Sequence, residues 1–222
     1  MPNFRILLAD DHKIIRDGLR ALIEKHPDME VIGDAENGRH AVDAARELQP
    51  DMIVMDVSMP DLNGIEATRQ ILWSHPHIKI IALSMYSDRR FVTEILKAGA
   101  SGYLLKDCAF DELIRALQTV ARDHTYLSPS ISDILVQDLV KDSPATAAQK
   151  PSSAFGVLTS REREILQLLA EGKTTKVIAR ECHVSVKTVE SHRHNIMEKL
   201  GIYSVAELTK YAVREGLTPL DT

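Results

Sequence analysis

The fold is decided by residues 52–64, which read Met-Ile-Val-Met-Asp-Val-Ser-Met-Pro-Asp-Leu-Asn-Gly. The first four residues form a short apolar run, the pattern of a strand that is buried on both faces of a parallel sheet. Pro60 and Asn63-Gly64 then mark a loop before a helical pattern begins. Asp56 is therefore expected at the carboxyl end of a central strand, where open α/β sheets place their functional groups.

The same alternation of strand and helix patterns runs through the first 123 residues. Each apolar run is followed by apolar residues at helical spacing, which predicts a parallel sheet covered on both faces and joined by right-handed crossovers. The five predicted strands are Phe4–Ala9, Val31–Ile32, Met52–Met55, Ile78–Leu83 and Gly102–Leu105.

Polar residues follow four of these strands, and they should all meet at one edge of the sheet. They are Asp10 and Asp11 after the first strand, Asp56 after the third, Ser84 after the fourth and Lys106 after the fifth. Clustered carboxylates repel one another unless a cation neutralises them, and oxygen ligands suit Mg²⁺. A carboxylate can also attack phosphorus, while an amine and a hydroxyl can bind the phosphoryl oxygens. This combination predicts a magnesium-dependent phosphoryl site.

Over residues 4 to about 123 the chain resembles the receiver domain of two-component response regulators. The resemblance is carried by Asp10-Asp11, by the run from Asp56 to Gly64, by Ser84 and by Gly102-Tyr-Leu-Leu-Lys-Asp. It implies a flavodoxin-like α/β fold whose five-stranded sheet has the order 2-1-3-4-5. It also implies that Asp56 is the phosphoacceptor and that a sensor histidine kinase is the donor.

The resemblance also implies a role for each residue around Asp56. Asp11, Asp56 and the backbone carbonyl of Ser58 would coordinate Mg²⁺, with Asp10 helping through water. Ser84 and Lys106 would contact the phosphoryl group, and Tyr103 occupies the aromatic switch position. Met85 and Tyr86, which follow Ser84, are bulky and predict slow loss of the phosphoryl group.

Residues 124–154 have a different character and are interpreted as a linker between a receiver domain (1–123) and a second domain (155–222). Apolar residues at helical spacing over Ile131–Leu139 predict one amphipathic helix. The small, polar and proline-bearing stretch 142–153 that follows predicts a flexible tether.

The second domain reads as four short helices. Capping boxes at Thr159–Glu162 and Ser204–Glu207 mark the starts of the first and last. The two middle helices, joined by about three residues, fit a helix-turn-helix. The inward face of the third helix is predicted to carry Val186, Val189, Ile196 and Leu200.

This domain resembles the LuxR-type helix-turn-helix, so that the whole chain is similar to the NarL/FixJ subfamily of transcriptional regulators. The runs that carry the resemblance are Leu158–Leu166, Gly172–Ala179 and Val186–Gly201. By this resemblance, base readout falls to Glu190, Ser191 and His194; phosphate contacts to Thr175, Lys176, Lys187, Thr188 and Arg193; and the dimer surface to Val205, Leu208 and Tyr211. Members often carry lysine where this chain has Glu190, so their base preference does not transfer.

Charge and composition set wider limits. The chain has 222 residues and a net charge of −5, of which residues 155–222 contribute +1, from 10 basic and 9 acidic residues. Charge alone therefore does not indicate nucleic acid binding. Cys108 and Cys182 lack the spacing of metal ligands, and no apolar run reaches the length of ~18 residues that a membrane span needs. A cytoplasmic protein without a membrane partner is expected.

These observations favour a phosphorylation-switched, DNA-binding regulator that is not an enzyme. Its expected partners are the kinase, double-stranded DNA and, on activation, a second copy of the chain; RNA polymerase is a further candidate. One alternative is an aspartate-nucleophile phosphatase, but Ser58 stands where such an enzyme usually has a second aspartate. Another is a regulator that works without phosphorylation and uses the first domain only to bind proteins.

Overall fold

The computed structural model describes residues 4–107, 110–134 and 153–218, which form two compact units. The first unit contains a parallel β-sheet, and the second, within residues 153–218, is helical. Among the described residues, no helix has both the length and the apolar character that crossing a membrane would require.

The sheet has six parallel strands in the order β2-β1-β3-β4-β5-β6. They are β1 (Phe4–Ala9), β2 (Met29–Ala35), β3 (Met52–Asp56), β4 (Lys79–Ser84), β5 (Gly102–Leu105) and β6 (Tyr126–Leu127). The predicted order of the first five strands is confirmed. β2 is longer than the predicted Val31–Ile32, and its pairing with β1 shifts register between Ile6 and Leu7.

The sixth strand was not predicted and lies in the part of the sequence that was interpreted as linker. It contains two residues, which pair with Gly102 and Tyr103 of β5. A strand of two residues is too short to show a periodic pattern in the sequence. Its position is set by pairing with the neighbouring strand. The sheet therefore extends past residue 123, the predicted end of the first domain.

Six helices accompany the sheet within the described residues. They are α1 (Lys13–Ile23), α2 (Gly38–Leu48), α3 (Gly64–Ser74), α4 (Arg89–Lys97), α5 (Phe110–Ala121) and α6, which is seen over 129–134. The rest of the predicted helix Ile131–Leu139 and nearly all of the predicted tether lie outside the described residues.

Both faces of the sheet are buried. Alternate strand residues such as Leu8, Val54 and Leu104 pack with α1 and α5 in one apolar cluster. The residues between them, such as Ile53 and Met55, are also fully buried, so the opposite face is covered as well. Burial on both faces explains why β3 is apolar along its length rather than alternating.

The helical unit consists of α7 (Ala154–Val157), α8 (Ser160–Ala170), α9 (Thr175–Glu181), α10 (Val186–Leu200) and α11 (Val205–Arg214). The last four are the four predicted helices, and α7 is an additional single turn. Its core contains Ile165, Ile178, Val189 and Ile196. Val186, which was predicted to face inward, is instead 39% exposed, because it begins α10 where the chain enters from solvent.

The two predicted capping boxes differ in outcome. In the first, the Thr159 side chain accepts from the backbone of Glu162, whose carboxylate accepts from the backbone N–H of Thr159. In the second, Ser204 begins α11 but its side chain makes no capping hydrogen bond within the described residues. The sequence pattern is the same, but the backbone dihedrals of the two cap residues differ: φ is −68° and ψ 161° at Thr159, against −107° and 133° at Ser204. The spacing of the residues does not determine these angles.

Candidate functional site

Parallel strands bring the predicted polar residues to one edge of the sheet. Asp10 and Asp11 follow β1, Asp56 ends β3, Ser84 ends β4 and Lys106 follows β5. β1 lies beside β3, β3 beside β4 and β4 beside β5, so the residues meet because of the strand order.

The deepest part of this cleft holds two carboxylates against one amine. The Nζ atom of Lys106 lies 2.7 Å from Oδ2 of Asp10 and 2.8 Å from Oδ2 of Asp56. All three side chains are less than a tenth exposed. A buried charge needs a partner, and here one lysine serves two acids.

The remaining oxygens are held by backbone groups or lie at the mouth of the cleft. Oδ1 of Asp56 accepts a hydrogen bond from the Ser58 N–H at 3.1 Å, and Oδ1 of Asp10 accepts from the His12 N–H at 2.9 Å. Asp11 is partly exposed, and its Oδ1 lies 2.8 Å from Nδ1 of His12. Asp10, Asp11, His12 and Asp56 each offer one ligand atom, and these atoms lie within 4.8 Å of one another.

Burial and charge shift the pKa values of the central pair. Burial raises the pKa of Asp56 to about 7 from an ordinary value of 3.8; the charge of Lys106 opposes this shift, and that of Asp10 adds to it. For Lys106, burial would lower the pKa, but the charges of Asp56 and Asp10 outweigh it and raise the value. The pKa of Asp56 therefore lies near neutral pH, at which Lys106 remains a cation.

A glycine allows α3 to begin close to Asp56. A Cβ atom on Gly64 would overlap the backbone carbonyl of Asp56, and the Gly64 N–H donates to the carbonyl of Val57 at 2.9 Å. No side chain fits between these backbones. Gly64 at the end of residues 52–64 therefore determines the path of the loop that follows Asp56.

Ser84 and Tyr103 are linked through the backbone of Tyr86. The Tyr86 N–H donates to Oγ of Ser84 at 3.0 Å, and the Tyr103 hydroxyl donates to the Tyr86 carbonyl at 2.6 Å. Tyr103 is fully buried, and burial raises its pKa to about 12. The Tyr86 ring packs against Phe91 of α4, with ring centroids 5.2 Å apart. A displacement of Ser84 would thus disturb both hydrogen bonds of the Tyr86 backbone, the one to Ser84 and the one from Tyr103.

Helices α9 and α10 begin at capping side chains. Thr174 accepts from the N–H of Val177, and Ser185 accepts from the N–H of Thr188. α10 ends at Gly201, which adopts the left-handed conformation that suits glycine at this position. Two short helices with a four-residue connection are the geometry of a helix-turn-helix.

The predicted DNA-contacting residues lie on this pair of helices and reach the surface to different degrees. Val189 and Ile196 hold one face of α10 in the core, which leaves the other face to solvent. The exposed residues are Lys176, Lys187, Glu190, Ser191 and His194, and the half-buried ones are Thr175, Thr188 and Arg193.

The predicted dimer residues on α11 do not share one environment. Leu208 is 1% exposed and Tyr211 is 7% exposed, and both belong to the core of the helical unit. Only Val205 of the three is exposed. Leu208 and Tyr211 therefore pack mainly within their own domain, and the assignment of the three residues to a dimer surface stays a prediction.

Two residues of the receiver site were not predicted to contribute as they do. His12 was not assigned to the site, yet its ring lies beside Asp11. Tyr86 was considered only for bulk, whereas its backbone connects Ser84 to Tyr103. Adjacency to the acid pair could have indicated His12, but no sequence signal indicates the role of a backbone group.

Comparison with known families agrees with this geometry. Residues 6–118 match the family described as "Response regulator receiver domain", and residues 156–212 match "Bacterial regulatory proteins, luxR family". An acidic cleft on a parallel sheet, followed in one chain by a helix-turn-helix unit, defines a DNA-binding response regulator of a two-component system.

Full-length relatives narrow the class. The chain is 40% identical to the oxygen regulatory protein NreC of Staphylococcus carnosus, over 96% of this chain and 98% of that protein. It is 34% identical to the transcriptional regulatory protein DegU of Brevibacillus brevis, over 96% and 94%. The chain belongs to the NarL/FixJ subfamily of response regulators.

Solved structures give the same result. The Salmonella typhimurium response regulator RcsB matches with a TM-score of 0.65 at 27% identity, over 97% of this chain and 99% of that one. A structure of an RcsB–DNA complex matches with a TM-score of 0.58 at 27% identity, over 94% and 97%.

Proposed function

We propose that Asp56 accepts a phosphoryl group from a histidine kinase and that the added charge switches DNA binding by the helical unit. One observation carries this proposal: Asp10, Asp11 and Asp56 share one cleft, in which Lys106 contacts two of them. The cleft thus combines a nucleophile, acids that suit a cation and an amine that can bind the product.

In the transfer, an oxygen of Asp56 forms a bond to phosphorus while the bond from phosphorus to the kinase histidine breaks. The histidine nitrogen keeps the electron pair, and the product is an acyl phosphate. Asp56 must react as a carboxylate; burial, which raises its pKa to about 7, opposes this, and the charge of Lys106 favours it. Lys106 then pairs with the phosphoryl oxygens by charge-assisted hydrogen bonds.

The residues of the cleft fit Mg²⁺. When ionised, Asp10, Asp11 and Asp56 carry three negative charges against the single positive charge of Lys106, and their oxygens are ligands that Mg²⁺ prefers. Asp11, Asp56 and the backbone carbonyl of Ser58 would hold the ion, with Asp10 acting through water. The bound ion would supply positive charge that keeps Asp56 ionised and screens the incoming phosphoryl group.

The switch is assigned to Ser84 and Tyr103. A phosphoryl group on Asp56 gives the Ser84 hydroxyl a charged acceptor, which draws Oγ away from the Tyr86 N–H. The Tyr86 carbonyl then moves relative to the Tyr103 hydroxyl that donates to it. The surface formed by α4, β5 and α5 changes as a result and biases the chain toward its DNA-binding form.

The face of α10 is assigned to the DNA major groove. Glu190, Ser191 and His194 would read base edges there, since their side chains are exposed on this face. Thr175, Lys176, Lys187, Thr188 and Arg193 would contact phosphates. Two copies would bind two half-sites, with the dimer surface on α11, where Val205 is the exposed member of the predicted set.

The remaining assignments follow from these partners. A protein that takes its phosphoryl group from a kinase and binds double-stranded DNA works in the cytoplasm, and RNA polymerase is its further candidate partner. We assign no enzymatic turnover to the chain. A phosphatase would release inorganic phosphate from small phosphomonoesters repeatedly, and measuring that turnover separates the two functions.

Transfer of labelled phosphate tests the proposal. The full-length protein is incubated with Mg²⁺ and labelled acetyl phosphate, a small acyl phosphate donor, and the label on the protein is measured. Asp56→Ala should carry no label above background that is stable in acid and labile in base, as an acyl phosphate is, because the nucleophilic oxygen is absent. Asp43→Ala, an exposed acid on α2, is the matched control and should be labelled like the wild type. Labelling of Asp56→Ala at the wild-type level would refute the assignment.

A further inference from the structure

The outer side of α10 carries a stripe of exposed polar residues. Val189 and Ile196 are fully buried and hold the opposite side of the helix in the core of the helical unit. Residues that stand three, four and seven places apart share one side of a helix. The α10 stripe defined in this way consists of Lys187, Glu190, Ser191 and His194, and all four are exposed.

Glu190 brings an unneutralised negative charge to this stripe. Among the residues that the structure describes, its carboxylate makes no hydrogen bond or ion pair, although Lys187 and Arg193 stand three places before and after it. Glu198, further along the same helix, differs because its Oε1 accepts a hydrogen bond from the Tyr203 hydroxyl at 3.0 Å. A free carboxylate can only accept hydrogen bonds, and DNA phosphates repel it. Glu190 therefore favours DNA binding only where it meets a hydrogen-bond donor.

The Ser191 hydroxyl is also restricted to accepting. Its Oγ donates its single hydrogen to the backbone carbonyl of Lys187, one turn earlier, at 3.0 Å. Only the lone pairs of this oxygen remain for a partner. Ser191 thus supplies no donor for the acceptor groups of guanine, and two neighbouring residues of the α10 stripe both require donors.

The major groove offers two kinds of donor on the base edges. They are the N4 amino group of cytosine and the N6 amino group of adenine, whereas guanine and thymine present acceptors. In adenine the amino group lies beside N7, an acceptor that repels a carboxylate. In cytosine the amino group is the only polar group that the base presents in this groove. A carboxylate is therefore matched best by cytosine.

We propose that Glu190 selects a cytosine in each half-site of the operator by accepting a hydrogen bond from its N4 amino group. The inference rests on the proposed function, because it concerns the same DNA-reading face of α10. It goes further by naming the base that this chain requires and the residue that imposes the requirement.

Selection from a random pool of DNA tests the inference. The full-length protein, treated with fluoroberyllate, is compared with Glu190→Gln and Glu190→Ala. The matched control is Glu198→Gln, which removes the same charge from the same helix. Glu190 is exposed, so its replacement should leave the fold intact, and thermal unfolding of each variant checks this.

Affinity measurements on the selected DNA then examine single atoms. Each cytosine of the half-site is replaced in turn by uracil, paired with adenine. Uracil carries an oxygen in place of the amino group and adds no methyl group, so the replacement turns the donor into an acceptor. The wild type and Glu198→Gln should each lose about tenfold to a hundredfold in affinity at one cytosine of each half-site.

The variants of Glu190 should change the preference at that position alone. Glu190→Gln should accept adenine there, because an amide offers adenine both a donor and an acceptor, and Glu190→Ala should accept any base. If a half-site is enriched but both variants keep the wild-type preference at every position, the inference is overturned and the DNA-binding assignment stands. If the wild type enriches no sequence, the proposed function fails, and the inference fails with it.

Discussion

At the residue scale, the ionisation of Asp56 links the chemistry of the cleft to the stability of the receiver. Lys106 and the backbone N–H of Ser58 favour the carboxylate, but burial outweighs them. The folded protein therefore holds the Asp56 proton up to a higher pH than the unfolded chain does. A reactive residue is maintained at a cost to stability, as is common at functional sites.

The first prediction concerns stability against pH in the presence of a chelator. The pKa of Asp56 is about 7 in the fold and ordinarily 3.8, so stability should fall as the pH rises from about 4 to about 7 and then level off. The fall attributable to this group is on the order of 4 kcal/mol. Asp56→Asn should remove it and be the more stable protein at pH 8. Scanning calorimetry at pH 5 and pH 8 measures this, and an equal pH response in both proteins would contradict it.

The second prediction concerns the lifetime of the phosphoryl group. Met85 and Tyr86 follow Ser84 directly, and the Tyr86 ring is held in place by Phe91. We expect their bulk beside the phosphoryl site to hinder the approach of water, so Met85→Ala and Tyr86→Ala should each shorten its half-life several-fold. Decay of the labelled protein is followed over time, with Tyr203→Ala, an exposed tyrosine of the helical unit, as the control. Unchanged decay in both variants would exclude the shielding role.

At the element scale, the ends of the strands could be predicted and the directions of side chains could not. β1, β3, β4 and β5 are largely apolar because both faces of the sheet are buried, and each ends at a polar residue or directly before one. Their parallel order then brings the acids and Lys106 together. The position of the His12 ring depends on how the backbone turns after β1, which no periodic pattern encodes.

Helical periodicity leaves a similar ambiguity in α11. Apolar residues at a spacing of three or four identify an inward face, but they do not say whether it packs on its own domain or on a partner. Leu208 and Tyr211 pack on their own domain, while Val205 does not. Which of these side chains contact a partner therefore stays a prediction.

The third prediction compares the two capping boxes. Burial raises the pKa of Glu162, but hydrogen bonds from Lys199 and Thr159 outweigh it and lower the value. Its stabilising contribution is thus present at neutral pH and lost as the pH falls through this lowered pKa. Glu162→Ala should destabilise the helical unit by about 1 kcal/mol at pH 7, with a smaller loss at acidic pH.

The second box supplies the control for this substitution. Glu207 occupies the equivalent place in α11, where the Ser204 side chain makes no capping bond within the described residues. Glu207→Ala should therefore change stability much less than Glu162→Ala does. If denaturant unfolding at pH 7 shows the same loss in free energy of unfolding for the two variants, the capping box of α8 does not stabilise the helical unit.

At the scale of the whole molecule, we expect a charge in the receiver to be coupled to DNA binding by the helical unit. Such a coupling is a free energy, and typical values change an affinity by about 5-fold to 150-fold. It must disappear when Asp56 is replaced, whatever else the substitution does. A regulator that works without phosphorylation would show no such dependence.

The direct measurement is DNA affinity with and without a fluoroberyllate complex, which mimics a phosphoryl group on an aspartate. The DNA is a sequence selected from a random pool by the purified protein. The complex should tighten binding about tenfold for the wild type and for Asp43→Ala, and leave Asp56→Ala unchanged. Equal affinity with and without the complex in the wild type, on protein shown to have bound it, would contradict the claim that Asp56 controls the DNA reader.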